Sequence, residues 1–379
     1  ITISPAAWVP ANSPISVSLA ANVVSITIVQ AGAGYTSAPA IVINGGSPII
    51  AATATCTIAN GSINSIRVII NGSGYLIPPS ITITPVLGNI PLITILHDII
   101  YMESSYLKIL KSSATMYQKF GNVYRKLVVP RVVKKSKKVI TVSHFEKNRI
   151  AEFFGIKGHA KLDAIYNGVS QHFKPVTNKE ELQRVKEKYN LPDNYFFFLG
   201  NTDPKKNTKG TLKAFSDFLK QTGSSHKLVM LDYDQIELNK LLVEINDINL
   251  INHIILTGYV INTDLPAIYS QCDVFLYPSL RESFGIPMLE AMSCNVPVIT
   301  SNTSCMPEVS GGAAHIINPF NPEEITEGLI EILNNEMYRK SLCYNGIERS
   351  KEFSWNNMAK EYLKLYKLIH SEYSKNNRS

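Results

Sequence analysis

A chain of 379 residues is long enough for two or three domains, each with a hydrophobic core of its own. Its composition, 45% apolar and 18% charged, is that of an ordinary globular protein, and no run of 18 apolar residues predicts a transmembrane helix. A net charge of +7 is compatible with a nucleic acid, a membrane surface or a phosphorylated ligand, and five cysteines without a C-x-x-C pair argue against a disulfide framework and for a reducing compartment. The first residues, "ITISPAAWVP", lack the pattern of a signal peptide and an initiator Met, as in a fragment or a processed product.

The first ninety residues are almost free of charge, since Arg67 is the only charged side chain before His97. Two copies of one pattern lie within them, "SITIVQAGAGYTSAPAIVIN" (25–44) and "SIRVIINGSGYLIPPSITIT" (65–84). Each copy has a β-rich run, a G-x-G-Y turn, a proline and a second run with period-2 alternation, which predicts antiparallel β structure. The copies resemble, in composition, Gly-Tyr β repeats of phage and viral tail or surface proteins. An adhesion module of virus-associated origin and a β spacer without a function of its own both fit the pattern.

From "PLITILHDIIY" onward, strands and helices alternate, which predicts a parallel sheet with helices on both faces. The predicted strands are 92–96, 138–142, 162–166, 195–199, 227–231, 253–256, 274–277 and 297–300. The predicted helices include 179–189, 208–221, 322–335 and 355–372. The loop 167–178, with Asn-Gly and Pro, joins two such α/β units.

The stretch "RESFGIPMLE" follows an apolar strand, so its loop lies at a strand's carboxyl end, where open α/β sheets bind ligands. Gly285 allows the backbone to approach a ligand closely, and Pro287 suits the first position of a helix. The amides of 284–286 would then bind an anion at the helix N-terminus, while Glu282 and Glu290 accept hydrogen bonds from hydroxyl groups. A site whose amides bind phosphate and whose carboxylates accept hydrogen bonds from hydroxyl groups predicts a sugar nucleotide as its ligand. Either glutamate alone would equally fit a surface loop or a helix-dipole position.

Three other candidates also follow predicted strands. Lys205 and Lys206, in "FFFLGNTDPKKNTKG", could reach a phosphate from their strand end, although a pair of solvated loop lysines fits the same pattern. His97 follows the strand of "ITILHDIIY". A lone His at such a place is usually structural, but beside the other motifs it is a candidate site residue.

The stretch "SLRESFGIPMLEAMSCNVPVITSNTSCMPEVSGGAAHIINPFNPEEI" resembles the signature of glycosyltransferase family 4, whose members retain anomeric configuration on a GT-B fold. Other similar segments are "ITILHDIIY", "KKVITVSHFEKNRIAEFFG", "IYNGVSQHFKP", "FFFLGNTDPKKNTKGTLKAF", "LTGYV", "TSNTSCMPEV" and "KEFSWNNMAKEYLKLY". Within the family, the chain is most similar to bacterial mannosyltransferases of O-antigen and capsule assembly.

The resemblance implies a role for each site residue. The family's pattern of two glutamates separated by seven residues falls on Glu282, which implies contact with the donor sugar's hydroxyls, and on Glu290, which implies contact with the nucleotide ribose. The implied catalytic residues are His97, near the scissile bond, and Glu282, which holds the sugar and is not a covalent nucleophile. The implied donor-binding residues are Lys205 and Lys206 on the diphosphate, Gly258 and Tyr259 at the base, Phe284, Gly285 and Ile286 through their backbone, and Glu290.

The resemblance covers about residues 91–379 and divides the chain into four regions. They are a β-rich repeat module (1–90), a partial, acceptor-side Rossmann-like domain (91–178), a Rossmann-like domain for the donor nucleotide (179–354) and a C-terminal helix that crosses back to the N-terminal domain (355–379). The predicted fold class is therefore α/β, with GT-B-like Rossmann domains, the N-terminal one incomplete, after an all-β segment. Family members have a longer region ahead of the His-Asp strand, and Asp232 stands where they tend to have Gly.

The predicted function is that of a retaining hexosyltransferase. It would transfer a hexose, best matched by mannose, from GDP-mannose or a UDP-hexose to a glycan or lipid-linked acceptor. Fixed lysines and helix-terminal amides would stabilise the charge of the leaving diphosphate. No cofactor and no metal ion are expected, since the chain has no D-x-D in a suitable loop and no His/Cys cluster. Because the usual N-terminal part is missing, a nucleotide-sugar-binding protein without turnover, fused to an adhesion module, is the main alternative, and a structural virion-surface protein is the third.

Basic residues cluster over 108–138, with Glu103 the only acid nearby. Apolar and aromatic residues such as Tyr117, Phe120 and Leu127 lie between them, which fits either a helical surface on anionic lipid or a solvated basic face. The sequence thus predicts a cytoplasmic protein without a nucleic acid partner, with peripheral contact at the inner face of a membrane as one option.

Overall fold

The structure is a computed structural model that describes residues 15–19, 23–28, 35, 37–44, 48–73, 80–84, 91–103, 116–158, 160–231 and 233–376. It divides into two compact units, Ile1–Ile90 and Pro91–Ser379. Parts of the sequence predictions lie outside the described residues, namely 32–34 and 74–75 of the G-x-G-Y turns, 108–115 of the basic segment, and Asp232.

The described part of the first unit contains six β-strands. They are β1 (Ile15–Leu19), β2 (Val23–Ile28), β3 (Ala40–Asn44), β4 (Thr53–Ala59), β5 (Ser62–Ile70) and β6 (Ser80–Thr84). β1 and β2 form an antiparallel pair, and the other four form an antiparallel sheet in the order β5-β4-β3-β6. The closing runs of the two repeats pair with each other, with Ile41 opposite Ile83 and Ile43 opposite Ile81. The likeness to viral repeats stays a prediction.

The second unit alternates strands and helices. Its strands are β7 (Ile93–Ile95), β8 (Lys138–Thr141), β9 (Leu162–Ala164), β10 (Tyr195–Phe198), β11 (Lys227–Met230), β12 (Ile254–Leu256), β13 (Val274–Tyr277), β14 (Val298–Ser301) and β15 (His315–Ile317). Its described α-helices are α1 (Met116–Lys135), α2 (His144–Phe154), α3 (Lys179–Tyr189), α4 (Thr208–Thr222), α5 (Gln235–Glu244), α6 (Leu265–Gln271), α7 (Ile286–Ser293), α8 (Met306–Ser310), α9 (Pro322–Asn334), α10 (Glu336–Lys351) and α11 (Trp355–Asn376). The eight predicted strands lie within two residues of the observed ones; β15 was not predicted.

Six strands form a parallel sheet in the C-terminal region, residues 179–354, in the order β12-β11-β10-β13-β14-β15. The central strand β10 reads Tyr-Phe-Phe-Phe, and all four side chains are buried, because helices cover both faces of a parallel sheet. Phe197 belongs to the core on one face, and Phe196 and Phe198 belong to the core on the other. This double core holds the carboxyl ends of the strands in fixed positions.

Three strands form a smaller parallel sheet in the N-terminal region, residues 91–178, in the order β7-β8-β9. The long helix α11 reaches this sheet from the end of the chain, and its Leu365 and Ile369 pack on Ile140 of β8. Where the chain passes between the two regions, Val169 N donates to Phe353 O at 3.1 Å. The two segments that connect the regions lie so close together that a Cβ on Gly168 would be 2.1 Å from Trp355 N. Among the described residues, no helix is both long and apolar enough to cross a lipid bilayer.

Candidate functional site

The charged residues of the candidate site follow two adjacent strands of the six-stranded sheet. Lys205 and Lys206 follow β10, and Glu282 follows β13, its neighbour. The order of the strands reverses here, because β11 and β12 lie on one side of this pair and β14 and β15 on the other. In open parallel sheets, such a switch point opens a crevice at the carboxyl ends of the strands. The fold thus brings these three residues together where it provides a ligand crevice.

Lys205, Lys206 and Glu282 form one charged cluster, and their side chains are mostly buried. Lys206 Nζ donates to Glu282 Oε1 at 2.6 Å, and Lys205 Nζ lies 3.8 Å from Glu282 Oε2. Lys206 Nζ also lies 5.0 Å from the centre of the Tyr277 ring, which fixes the ammonium over an aromatic face. Two ammonium groups against one carboxylate leave an excess positive charge, which suits an anionic ligand.

The loop that carries the two lysines is fixed by its own turn chemistry. The segment Pro204–Lys206 is a short 3₁₀ helix, and the carboxylate of Asp203 accepts a hydrogen bond from Lys205 N at 3.1 Å. Asn207 ends the turn in the left-handed conformation, with φ of 59°. Its side-chain amide donates to Pro278 O at 3.2 Å and to Pro319 O at 2.7 Å. The turn is therefore tied to the end of β13, where the Glu282 loop begins.

Gly285 forms the junction between the Glu282 loop and α7. Its φ of 89° lies in the region that favours glycine, and a Cβ here would come within 2.7 Å of Met306 Cε. The amides of residues 284–286 donate to no acceptor among the described residues, so they are available at the start of α7. The Phe284 ring is buried against Tyr166 and Phe353, so Phe284 can offer a ligand only its backbone.

Glu290 lies one helical turn inside α7. Tyr269 OH donates to Glu290 Oε2 at 3.3 Å. Burial raises the pKa of the Glu290 carboxyl to about 7, and the Tyr269 hydrogen bond offsets only part of this rise. A carboxyl group with this pKa carries a proton part of the time near neutral pH, and a hydrogen-bonding ligand would change that balance.

His97 is exposed two residues after the end of β7, and its neighbour Asp98 connects it to the Glu282 loop. Thr141 Oγ1 donates to His97 O at 3.2 Å. Asp98 Oδ1 accepts from Ile100 N at 3.1 Å, and Asp98 Oδ2 accepts from Ser283 Oγ. The turn that carries His97 is thus hydrogen-bonded to the residue after Glu282.

Gly258 and Tyr259 lie after β12, the edge strand, two places from β10 in the sheet. Gly258 has φ of 66° with open space where a Cβ would be, and the Tyr259 side chain is 77% exposed. Neither residue hydrogen-bonds to the lysine and glutamate cluster within the described part of the chain. These two predicted residues therefore follow the edge strand of the sheet, whereas the two lysines and Glu282 follow the central strands β10 and β13.

Sequence reasoning missed the residues that join the two regions beside this site. The carboxylate of Glu308 accepts from His144 N at 2.7 Å and from Phe145 N at 2.8 Å, so a residue of the C-terminal region caps α2. Arg281, next to Glu282, pairs with Glu103 and Glu146 of the N-terminal region. The S-x-x-E pattern of Ser143–Glu146 was a sequence signal for the start of α2, but it does not reveal the partner.

Two family models match this chain, one before residue 173 and one from residue 179. Residues 179–349 match the family model described as glycosyl transferases group 1. Residues 69–172 match the model described as glycosyltransferase family 4. The match begins at residue 69, earlier than the sequence-based estimate of about residue 91.

Among the curated relatives is the O-antigen chain mannosyltransferase B of Escherichia coli, which is 31% identical over 235 residues. The match covers 62% of this chain and 61% of that protein, so this chain spans about six tenths of the relative's length.

The similar solved structures include sucrose-phosphate synthase from Thermosynechococcus elongatus, with TM-score 0.59 and 20% identity over 76% of this chain and 69% of that one. Another is HepE from Anabaena in complex with UDP and glucose, with TM-score 0.57 and 16% identity over 73% of this chain and 71% of that one. At these identities the likeness shows the fold alone, and it confirms the predicted α/β fold of GT-B type.

Proposed function

We propose that this chain is a retaining glycosyltransferase. Its residues 179–349 belong to the glycosyl transferases group 1 family, and its residues 69–172 belong to glycosyltransferase family 4. The observation that carries the proposal is the contact between Lys206 and Glu282 at the switch point of the sheet, 2.6 Å between Nζ and Oε1. A cation beside a carboxylate supports the binding of a sugar diphosphate, because the cation suits a phosphate and the carboxylate suits hydroxyl groups.

The chemistry assigned to the site is electrostatic. The bond between the anomeric carbon and the diphosphate breaks, the acceptor's hydroxyl oxygen bonds to that carbon, and the hydroxyl proton passes to the leaving diphosphate. Negative charge grows on the diphosphate as its bond breaks, and Lys205, Lys206 and the amides of 284–286 stabilise that charge. Glu282 accepts hydrogen bonds from the sugar hydroxyls, and His97 orients the sugar from the N-terminal side. Glu290 accepts from the nucleotide ribose. The reaction needs no metal ion in this proposal, because the lysines supply the positive charge.

The proposed donor is a nucleotide hexose, GDP-mannose or a UDP-hexose, and the acceptor is a glycan or a lipid-linked glycan. Mannose is favoured because the Escherichia coli relative is named an O-antigen chain mannosyltransferase. A UDP-hexose is the other choice because the Anabaena neighbour holds UDP and glucose. Gly258 and Tyr259, exposed beyond β12, are assigned to the base.

The experiment that tests the function is sugar release or transfer by the purified chain with GDP-mannose, UDP-glucose and UDP-GlcNAc. We expect turnover of one donor, with nucleoside diphosphate as product. Binding of GDP or UDP without loss of sugar from any donor would contradict the enzyme and leave a binding protein. Repeating the reaction with EDTA checks the metal independence.

Lys206→Ala tests the diphosphate site. We expect about a 10- to 100-fold loss of affinity for GDP or UDP, because a hydrogen bond to a charged group is lost, and little change for the nucleoside. Lys209→Ala is the matched control, since Lys209 is exposed and pairs with Glu244 at 2.8 Å. An equal loss for nucleoside and nucleoside diphosphate would remove Lys206 from the diphosphate role.

We also propose that the basic segment 108–138 contacts anionic lipid at the inner face of a membrane. Its described part includes α1, whose exposed side chains support this: Arg125, Lys126, Leu127, Arg131, Lys134 and Lys135. Co-sedimentation with vesicles should require phosphatidylglycerol and should be weakened by changing Lys126, Arg131 and Lys134 together to Gln. The same change at Lys340, Lys351 and Lys364 is the control. Equal binding to pure phosphatidylcholine vesicles would contradict the electrostatic contact.

A further inference from the structure

The three residues 281–283 face two directions. Glu282 contacts Lys206, whereas Arg281 and Ser283, on either side of it, contact the N-terminal region. Ser283 O accepts from Ser143 Oγ at 3.0 Å, in addition to the bond from Ser283 Oγ to Asp98. The loop therefore lies between the donor lysines and the small sheet, and its neighbours on both sides can set the direction of Glu282.

Arg281 is the centre of a buried charge cluster. Its Nε and Nη2 donate to the two carboxylate oxygens of Glu103 at 3.2 and 3.3 Å, and its Nη1 donates to Glu146 Oε1. Glu103 is 7% exposed and Glu146 is fully buried. The guanidinium carbon lies 4.9 Å from the centre of the Phe145 ring, so the plane of the group is fixed as well. Only a planar fork makes all of these contacts at once.

The same guanidinium holds the main chain of Glu282. Arg281 Nη1 donates to Glu282 O at 2.9 Å and to Ser304 Oγ at 3.0 Å. Ser304 Oγ accepts from Glu282 N at 3.1 Å and donates to Glu282 O. Ser304 adopts φ of 61°, an uncommon conformation for serine, to place its hydroxyl there. Both backbone groups of Glu282 are thus fixed by Arg281 and its partner.

The Glu146 side chain binds Arg281 and does not complete the N-terminal cap of its own helix, α2. Ser143 Oγ accepts from Glu146 N at 3.2 Å, as in a capping box. In that box the glutamate returns to the backbone of the cap, but here Oε1 binds Arg281 and Oε2 has no partner among the described residues. Burial, with Asp98 and Glu103 nearby, raises the pKa of the Glu146 carboxyl to about 7. A buried carboxylate with one orphan oxygen is costly, so stability alone does not explain its place.

We propose that Arg281 is a positioning residue: it holds the main chain of Glu282 so that the carboxylate faces Lys206, and Glu103 and Glu146 fix Arg281. The N-terminal region thereby controls the geometry of a donor-site carboxylate that it does not contact through its own side chains. The meaning of this geometry for sugar transfer rests on the proposed function, but the geometry itself can be measured without substrate.

The first test is hydrogen–deuterium exchange of the Glu282 amide in the full chain. In Arg281→Met and in the double variant Glu103→Gln/Glu146→Gln, we expect exchange about tenfold or more faster, because charged hydrogen bonds that fix this segment are lost. Arg184→Met is the matched control: Arg184 also pairs with a buried carboxylate, Asp264 at 2.9 Å, and should leave the Glu282 amide unchanged.

Wild-type exchange at Glu282 in either folded variant overturns the proposal. If Arg281→Met does not fold, Arg281→Lys replaces it, since lysine keeps the charge without the fork and should also accelerate exchange.

The second test separates the positioning role from a merely structural one. Arg281→Lys should lower kcat by about tenfold while the affinity for GDP and UDP changes much less, because Lys205 and Lys206 are both still present to bind the diphosphate. A wild-type kcat in a variant whose Glu282 amide exchanges faster would overturn the positioning role. If the wild-type chain turns over no nucleotide sugar, the proposed function fails, whereas the exchange result still decides whether Arg281 fixes Glu282.

Discussion

The C-terminal and N-terminal regions differ in how they build their share of the candidate site. In the C-terminal region, two adjacent strands and one helix, with cores on both faces, place Lys206, Glu282 and Glu290. In the N-terminal region, three short strands place His97, and its other contributions are charged side chains that reach across. We therefore expect binding of the nucleoside diphosphate to be a property of the C-terminal region alone, whereas orientation of the sugar and transfer need both regions.

The largest expected effect concerns one buried carboxyl group from each region. Burial raises the pKa of Glu290 to about 7, and burial raises that of Glu146 to about 7 in spite of Arg281. Such a group ionises first in the unfolded chain, so its penalty is absent below about pH 4.5 and grows until about pH 7. Stability therefore falls as the pH rises through this window, by up to about 3 kcal/mol for each group.

The measurement is urea unfolding at about pH 5 and about pH 7.5. In Glu290→Gln, the free energy of unfolding should depend less on pH, because most of the contribution of Glu290 to that dependence is removed. His315, whose buried ring has a lowered pKa, titrates in the opposite sense and cancels when variant and wild type are compared. Glu146→Gln should raise the free energy of unfolding at high pH less than Glu290→Gln does, because it also removes the charge pair with Arg281. Equal slopes for wild type and Glu290→Gln would show that Glu290 is ionised in the folded chain.

His97→Ala sharpens the comparison from the N-terminal side. We expect kcat to fall by about 100-fold, as when a group that orients or stabilises the transition state is removed, while GDP or UDP affinity stays within about twofold. The control is His370→Ala, an exposed histidine on α11. A loss of nucleotide affinity equal to the loss of kcat would mean that the N-terminal region binds the nucleoside diphosphate as well.

The sequence was sufficient to locate the residues that depend on a strand end. Apolar strands before Lys205 and Glu282 could be recognised, whereas the switch point between β10 and β13 depends on the order of the strands, which the sequence did not predict. The partners of Arg281 could not be found, because Glu103 and Glu146 lie 178 and 135 residues away in the chain. These residues come together only when the two regions dock, and such a long-range contact produces no periodic pattern in the local sequence.

Local structure was missed where apolar periodicity is weak. β15 has only three residues. The face that α10 buries includes Gly346 and Ser350 beside Leu342, so its pattern lacks the repeated large apolar residues that predict a helix. That Tyr259 follows the edge strand of the sheet could not be predicted either, since the place of β12 depends on the order of the strands.

Gly285→Ala tests how tightly the C-terminal region packs the junction between the Glu282 loop and α7. Alanine must adopt φ of 89° and also displace Met306 Cε, whereas Gly258→Ala, at φ of 66°, meets open space. Both variants pay for the left-handed backbone, about 1–2 kcal/mol, and we expect Gly285→Ala to lose about 1 kcal/mol more. Urea unfolding measures the difference, and equal losses would show that Met306 moves aside freely.

The smallest expected effect concerns the contact of α11 with the N-terminal sheet. Lys137 Nζ lies 3.2 Å from Glu372 Oε2, but the two side chains are about half exposed. Such a pair is screened by water and salt, so Lys137→Ala should change the free energy of unfolding by at most about 0.5 kcal/mol. Lys351→Ala, which removes an exposed pair within α10, is the control. A salt-sensitive loss above about 1 kcal/mol would mean that charge holds α11 in place, whereas a small loss leaves that role to the buried Leu365 and Ile369. In that case the two regions are joined by apolar packing under α11 and, at the candidate site, by the buried charges around Arg281.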